Sequence, residues 1–192
     1  MEHITEHLKK QYPDLVGLFE RSSPISELTP KNTHIVEAIS RIIVGQMLSR
    51  HVANSIFSRV ESLFETPESL LELTEAAFTQ HGVSKNKAKA ILNFAHMYYQ
   101  NPERFDRWNE LEFSQLCKES KDIWGISDWS LSILALFHFG HPDVFPHKDG
   151  TLNRAIQNLE KQGVIIDVDN AKPYRSYLAL YLWKFIDEMI VL

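Results

Sequence analysis

Asp149 and the segment Lys121–Ser130 are the residues whose types and spacing could do chemistry. Asp149 closes the run His141-Pro-Asp-Val-Phe-Pro-His-Lys-Asp149-Gly150, directly ahead of a stretch with helical spacing. An aspartate there has a plain structural job as an N-cap, accepting the first amides of the helix. The same position also suits a carboxylate held at the edge of a cleft, and the residues alone leave both readings open. The segment Lys121-Asp-Ile-Trp-Gly-Ile-Ser-Asp-Trp-Ser130 reads as helix, tight turn, helix. Gly125 permits a backbone conformation and a close approach that other residues resist. Ser127 or Asp128 can cap the helix that follows, and its first amides can then point at an anion such as a DNA phosphate. An ordinary helix–helix connection is the competing reading.

The elements that must position these residues are helical. Glycine is scarce, at 7 of 192 residues, and apolar residues recur at helical spacing. Residues 3–20 read as an opening helix interrupted at Pro13, and residues 21–33 as a connector. Thr33 is the expected cap of a helix with Ile35, Ile39, Ile42 and Ile43 on one face. Ser49 caps the next, with the stripe Val52, Ile56, Val60 and Leu63. Thr66-Pro67 opens a short helix, and Ser84 opens another that Asn101-Pro102 stops. A helix near 109–119 leads into the hairpin, and an apolar helix follows it to Phe139. The last helix begins near Arg175 and carries two stripes: Leu178, Tyr181, Leu182, Phe185 and Met189, then Ala179, Trp183, Ile186 and Ile190. A helix apolar on two faces lies between two bodies, or between a core and an apolar cleft. Val164-Ile165-Ile166 is the one short strand-like run. The expected fold is all-α, with about ten helices packed as two lobes around a cleft.

Composition removes several classes. The chain has 44% hydrophobic residues, enough for a real core, and one cysteine, Cys117, read as a core residue. One thiol cannot build a disulfide framework or a cysteine-only zinc or iron–sulfur site, which takes about four. The nine histidines show no ligand pair supported by a carboxylate, so no metal enzyme is expected. No signal-peptide pattern opens the chain, and the most apolar stretch, Leu178–Leu192, is broken by Lys184, Asp187 and Glu188. A net charge of −5 argues against coating nucleic acid by bulk charge, though not against a local site. Lys85, Lys87 and Lys89, with Arg50 near Met47, are candidates for such a site; a solvated charged face explains the lysines equally well.

Four motifs occur in order: Ile43-Val-Gly-Gln-Met-Leu-Ser49, Trp124-Gly-Ile-Ser-Asp-Trp-Ser130, Asp143-Val-Phe-Pro-His-Lys-Asp149 and Lys172-Pro-Tyr-Arg-Ser-Tyr177. Together they resemble the helix-hairpin-helix DNA glycosylases over roughly residues 30–190, most of all the 3-methyladenine DNA glycosylase II type. The resemblance implies a single glycosylase domain over 1–192, with lobe one near 1–33 plus 141–192 and lobe two near 34–140, including the hairpin 121–130. It implies that Asp149 is the catalytic aspartate and that Trp129 and Trp183 line the base pocket. Met47 falls where that branch places an apolar wedge, with Gln46 beside it on the DNA-contacting side. Gly125, Ser127 and Ser130 fall on positions that hold a phosphate. Carbonyls of Lys121, Ile123 and Ile126 match positions that hold a structural Na+ or K+ in some members. Trp183 as a core residue and Met47 as a space filler are the competing readings.

The implied activity is excision of alkylated purines (3-methyladenine, 7-methylguanine) by base flipping and Asp-assisted hydrolysis, in base excision repair, with no required cofactor. The implied partner is double-stranded DNA containing damaged bases, met by a monomer away from membranes. The location implied is cytoplasmic, nucleoid-associated in a bacterium, or nuclear in a eukaryote. Trp129 stands where bifunctional relatives carry a lysine nucleophile, so no Schiff-base strand cleavage is expected. One cysteine also excludes the cluster-bearing endonuclease III pattern. Two departures stand out: Ser127 replaces the second glycine of the usual Gly-x-Gly, and Asp128 adds a negative charge beside it. The residues before the core leave room for a helix and a connector, so no N-terminal β-rich lobe is expected. Another base specificity (hypoxanthine or uracil), a non-catalytic DNA-binding module on the same scaffold, and a purely helical interaction domain are the alternatives.

Overall fold

The computed structural model describes residues 1–190; Val191 and Leu192, the end of the apolar stretch read above, lie outside the described residues. Among the described residues there are eleven α-helices, five short 3-10 segments and no strand, so the chain is all-α. The helices are α1 (Glu2–Gln11), α2 (Val16–Arg21), α3 (Ile35–Gly45), α4 (Arg50–Val60), α5 (Glu75–Thr79), α6 (Lys85–Gln100), α7 (Pro102–Asp106), α8 (Phe113–Glu119), α9 (Asp128–Phe137), α10 (Gly150–Lys161) and α11 (Arg175–Asp187). Residues 164–166 form no strand and run as irregular chain.

The sequence signals fix most boundaries. Pro13 opens a 3-10 turn that separates α1 from α2. Ser49 and Ser84 accept amides of Val52 and Lys87 at the starts of α4 and α6. Asn101 ends α6 and, through its side chain, caps α7 ahead of Pro102. The expected cap at Thr33 is not the one used. His34 caps α3, its Nδ1 accepting the Val36 amide at 3.2 Å. The imidazole packs edge-on against Tyr98, a contact local spacing cannot reveal. Two stripe assignments also change. On α4 Val52 is exposed and Phe57 is buried in its place, while Ile56 is half-buried and Val60 buried as the stripe requires. Met189 lies beyond the end of α11 and is exposed.

The chain divides into two compact units: Met1–Pro30 with the chain from Ala135 on, and Lys31–Leu134. In the first, α10 packs on α11 and α1 packs near the 3-10 turn Val168–Ala171. Its core gathers Leu8, Leu15, Leu18, Leu152, Leu159, Leu178 and Leu182. Each such side chain removed from water contributes about 1.5–3 kcal/mol before entropy is counted. In the second unit, α3 and α5 pack on α6, and α3 on α4. Ile39, Ile43, Ile91 and Phe94 are buried there, and Phe94, Phe105 and Trp108 form an aromatic cluster with ring centroids 5.1–6.0 Å apart.

Candidate functional site

Asp149 does the structural job its position suggests and has a second partner besides. Its Oδ1 accepts the amides of Thr151 and Leu152, both at 2.9 Å, capping α10. The same oxygen accepts the indole N–H of Trp183 at 3.1 Å. Three donors on one oxygen fix the orientation of the carboxylate. Trp183 is half-buried, so it is neither a wholly core residue nor a loose one. Its ring stacks on Phe137, with centroids 5.7 Å apart and planes at 27°. Phe137 is 43% exposed and extends the aromatic surface toward solvent. An acid beside a partly open aromatic pair can stack a flat, electron-poor ring and stabilise positive charge next to it.

The loop that delivers Asp149 is tied to the start of α11. The Arg175 guanidinium makes a forked pair with Asp143, at 2.8 and 3.0 Å, and also donates to the Asp143 carbonyl at 3.1 Å. The buried Ser176 hydroxyl lies 2.7 and 2.9 Å from the carbonyls of His141 and Val144 and accepts the Val144 amide at 2.9 Å. The Ser176 amide donates to the Pro142 carbonyl at 3.0 Å. Adjacent side chains thus hold the segment 141–144, Ser176 at both ends and Arg175 at Asp143, on the helix that also carries Trp183. The Asp143 pair holds the Arg175 pKa above its ordinary value.

In the unit of residues 31–134, the hairpin turns where the sequence places it. Gly125 has φ +89°, and a Cβ there would sit 2.4 Å from the Ala90 Cβ on α6. Both the conformation and the approach require glycine. Ser127 needs no such freedom: it is not among the residues with positive φ. It is the residue that caps α9, its Oγ accepting the Ser130 amide at 3.3 Å. The second glycine of the usual motif is therefore dispensable in this turn.

Gln46 and Ser130 turn inward, whereas Met47 does not. Met47 is 100% exposed at φ +59°, a conformation that costs a side-chain-bearing residue about 1–2 kcal/mol. It packs nothing, so the space-filler reading fails. Ser130 is 0% exposed, and its amide goes to Ser127 while its hydroxyl accepts the Gln46 side chain at 3.0 Å. Ser130 thus supports the hairpin from within. The Gln46 side-chain amide likewise points inward, donating to the Gly125 carbonyl at 2.9 Å.

The remaining candidates separate in the same way. Trp129 is half-buried in the first turn of α9 and belongs to the unit with the hairpin. Lys87 is no solvated cation: its Nζ donates to the carbonyls of Val44 at 2.9 Å and Gln46 at 2.7 Å, and burial pushes its pKa down. Lys85 pairs with Glu75 at 3.8 Å. Lys89 lies 5.5 Å over the ring of Trp124, which is 50% exposed on the hairpin. Of the three carbonyls expected to face a cation, that of Ile123 accepts the Ile126 amide at 3.3 Å, and its second lone pair remains compatible with a cation. Among the described residues no group of three or more His, Cys, Asp or Glu could hold a metal, and no helix is long and apolar enough to cross a membrane. Cys117 is half-buried.

Phe137, Asp143, Arg175 and Ser176 are neighbours of the candidate site to which the sequence reading gave no role, and Lys87, read there as a surface candidate, turns inward. For Phe137 a signal existed: it stands two steps of four after Trp129 on an otherwise buried helix. For Arg175 and Ser176 the signal was their place inside a motif with no assigned role.

A model of the HhH-GPD superfamily base excision DNA repair protein matches residues 40–164. An alkylbase DNA glycosidase-like protein of Schizosaccharomyces pombe is 27% identical over 173 residues, 82% of this chain and 81% of that protein. DNA-3-methyladenine glycosylase 1 of the same yeast is 25% identical over 191 residues, 92% of this chain and 82% of that one. Among solved structures, a 3-methyladenine DNA glycosylase of that yeast in complex with abasic DNA superposes with a TM-score of 0.82 at 23% identity, covering 96% of this chain and 97% of the other. A DNA-3-methyladenine glycosidase from Bacillus halodurans gives 0.72 at 25% identity, covering 95% and 88%.

Proposed function

Because the chain belongs to the HhH-GPD superfamily of base excision DNA repair proteins, we propose that it is a monofunctional DNA N-glycosylase releasing alkylated purines, of the 3-methyladenine and 7-methylguanine type, from duplex DNA. The observation that carries the reading is the Asp149 carboxylate fixed against the Trp183 indole, with Phe137 stacked on that indole. The names of the yeast relatives support the substrate class.

The mechanism follows from the substrate's charge. The target atom is hidden in the stack, so the nucleotide must be extruded at a cost of a few kcal/mol. Met47, apolar and wholly exposed, is suited to fill the gap, and the hairpin amides near Gly125 and Ser127 to hold the backbone. A purine alkylated at N3 or N7 is cationic. Its glycosidic bond is already weakened, so no protein acid need protonate it. Cation–π contact with an indole face adds about 0.5–2 kcal/mol. Trp183 offers such a face in this proposal, and Trp129 is a second candidate for the same contact. As the bond breaks, the sugar develops positive charge; the Asp149 carboxylate stabilises it and orients or deprotonates the attacking water. Trp129 offers no amine for a Schiff base, so the abasic site is left uncleaved. A monovalent cation, Na+ or K+, at the carbonyls of Lys121, Ile123 and Ile126 would hold the turn, neutral oxygens being the donors such ions take. The chain would act as a monomer without a required cofactor, in the cytoplasm, nucleoid-associated in a bacterium, or in a eukaryotic nucleus.

Asp149→Asn keeps a capping oxygen and removes the charge. Mass analysis of bases freed from methylated duplex DNA should show release reduced about 100–1,000-fold, with melting temperature and affinity for an abasic-analogue duplex little changed. Release at the wild-type rate would end the assignment.

A further inference from the structure

We propose that Lys87 and Gln46 are positioning residues that lock the Met47 tip to the hairpin, making the wedge and the backbone grip one rigid element; the inference rests on the glycosylase reading above. Met47 follows the C-terminus of α3, where helical carbonyls lack intrahelical partners. The Lys87 ammonium, reaching from α6, takes the carbonyls of Val44 and Gln46 at 2.9 and 2.7 Å. The Gln46 carbonyl and the Met47 amide belong to one planar peptide unit, so holding that carbonyl sets the plane from which the Met47 side chain departs. The Gln46 side chain tethers the same residue to the Gly125 carbonyl and the Ser130 hydroxyl, and that hydroxyl lies 3.2 Å from the Ser127 hydroxyl. Backbone and side chain of one residue are thereby fixed to α6 and to the hairpin. A side chain at φ +59° in full solvent, with no packing of its own, needs such external support to hold its direction.

The competing role for Lys87 is a phosphate contact, and the two differ in what they predict. We would measure single-turnover release from a duplex carrying one 7-methylguanine, and affinity for an abasic-analogue duplex as a function of salt. Lys87→Met and Gln46→Ala should each slow release by up to about tenfold, the loss expected on removing the Met47 side chain itself. Lys87→Arg, which can still donate to both carbonyls, should recover most of the rate. The slope of log affinity against log salt should not change, whereas loss of a phosphate contact lowers it by about one. In a Met47→Ala background, Lys87→Met should cost nothing further. A salt slope reduced by one, or losses that multiply in the double variant, would overturn the proposal. If the wild type frees no base, the glycosylase reading fails, and the same double-variant cycle in abasic-duplex affinity still decides the positioning role. A Lys87→Met variant that does not fold leaves Lys87→Arg, Gln46→Ala and Gln46→Ala/Met47→Ala to decide by the same criteria.

Discussion

The segment around Asp149 and the loop around Met47 are built on opposite lines. Asp149 sits where every neighbour is fixed: three donors on one oxygen, a forked ion pair at Asp143 and a buried serine holding the chain behind it. Met47 has its side chain wholly in water, and only the backbone and side chain of the residue before it are tied down. The contrast matches two physical demands. A group that stabilises a fleeting charge must be oriented before the reaction starts. A group that enters a base stack must carry no contacts it would have to break.

Perturbing the supports of each region sharpens the contrast. The largest stability effect is expected at the hairpin. Gly125→Ala forces a Cβ to within 2.4 Å of Ala90 at φ +89° and should cost about 2–3 kcal/mol in denaturant unfolding. Ala90→Gly in the same chain should recover the steric part only. Arg175→Met leaves the partly buried Asp143 without its cation. It should lower stability by about 2 kcal/mol and slow base release as the 141–149 segment loosens. An unchanged rate would mean that Asp149 is oriented by its cap alone. Met47→Ala should leave stability within about 0.5 kcal/mol. If the wedge contributes about 1.4 kcal/mol to the open stack, release from duplex falls tenfold. A Met47→Ala variant that melts early would erase the distinction between the regions.

The smallest effect is a pH dependence. Burial lowers the His34 pKa below its ordinary 6.5, and its Nδ1 must be unprotonated to cap α3. Asp106, Glu68 and Glu37 oppose that shift and are outweighed by it. The folded state therefore binds protons less readily than the unfolded chain. Stability is fully present above pH 6.5 and declines as pH falls through the folded value. His34→Asn, a cap that does not titrate, should flatten the decline in urea midpoints between pH 7 and 5.

What was legible in the sequence is what depends on near neighbours. Serines 49 and 84, Asn101-Pro102 and Gly125 mark boundaries because a cap or a tight turn is settled within a few residues. Asp149 was readable as a cap for the same reason, and as an acid of interest because its motif stands in order with three others. The directions of Gln46 and Ser130 were not readable. Both sit in a motif that suggests contact with DNA, yet their polar atoms face each other across 84 positions of chain. Lys87 shows the same limit, since a lysine beside two others looks solvated until α3 is folded against α6. His34 displaced Thr33 as a cap through an aromatic contact with Tyr98, 64 residues away in sequence (98 − 34).

The oxygen shared by Trp183 and the first amides of α10 has a bearing on how any lineage of this protein can lose activity. On the proposed reading Asp149 is both keystone and reagent, and such a residue cannot drift freely once the reaction is no longer needed, because the helix start still asks for an acceptor there. Asparagine is the exchange that satisfies the scaffold while silencing the charge. An aspartate at this place in a descendant is thus weak testimony to a working enzyme, and an asparagine strong testimony to a retired one.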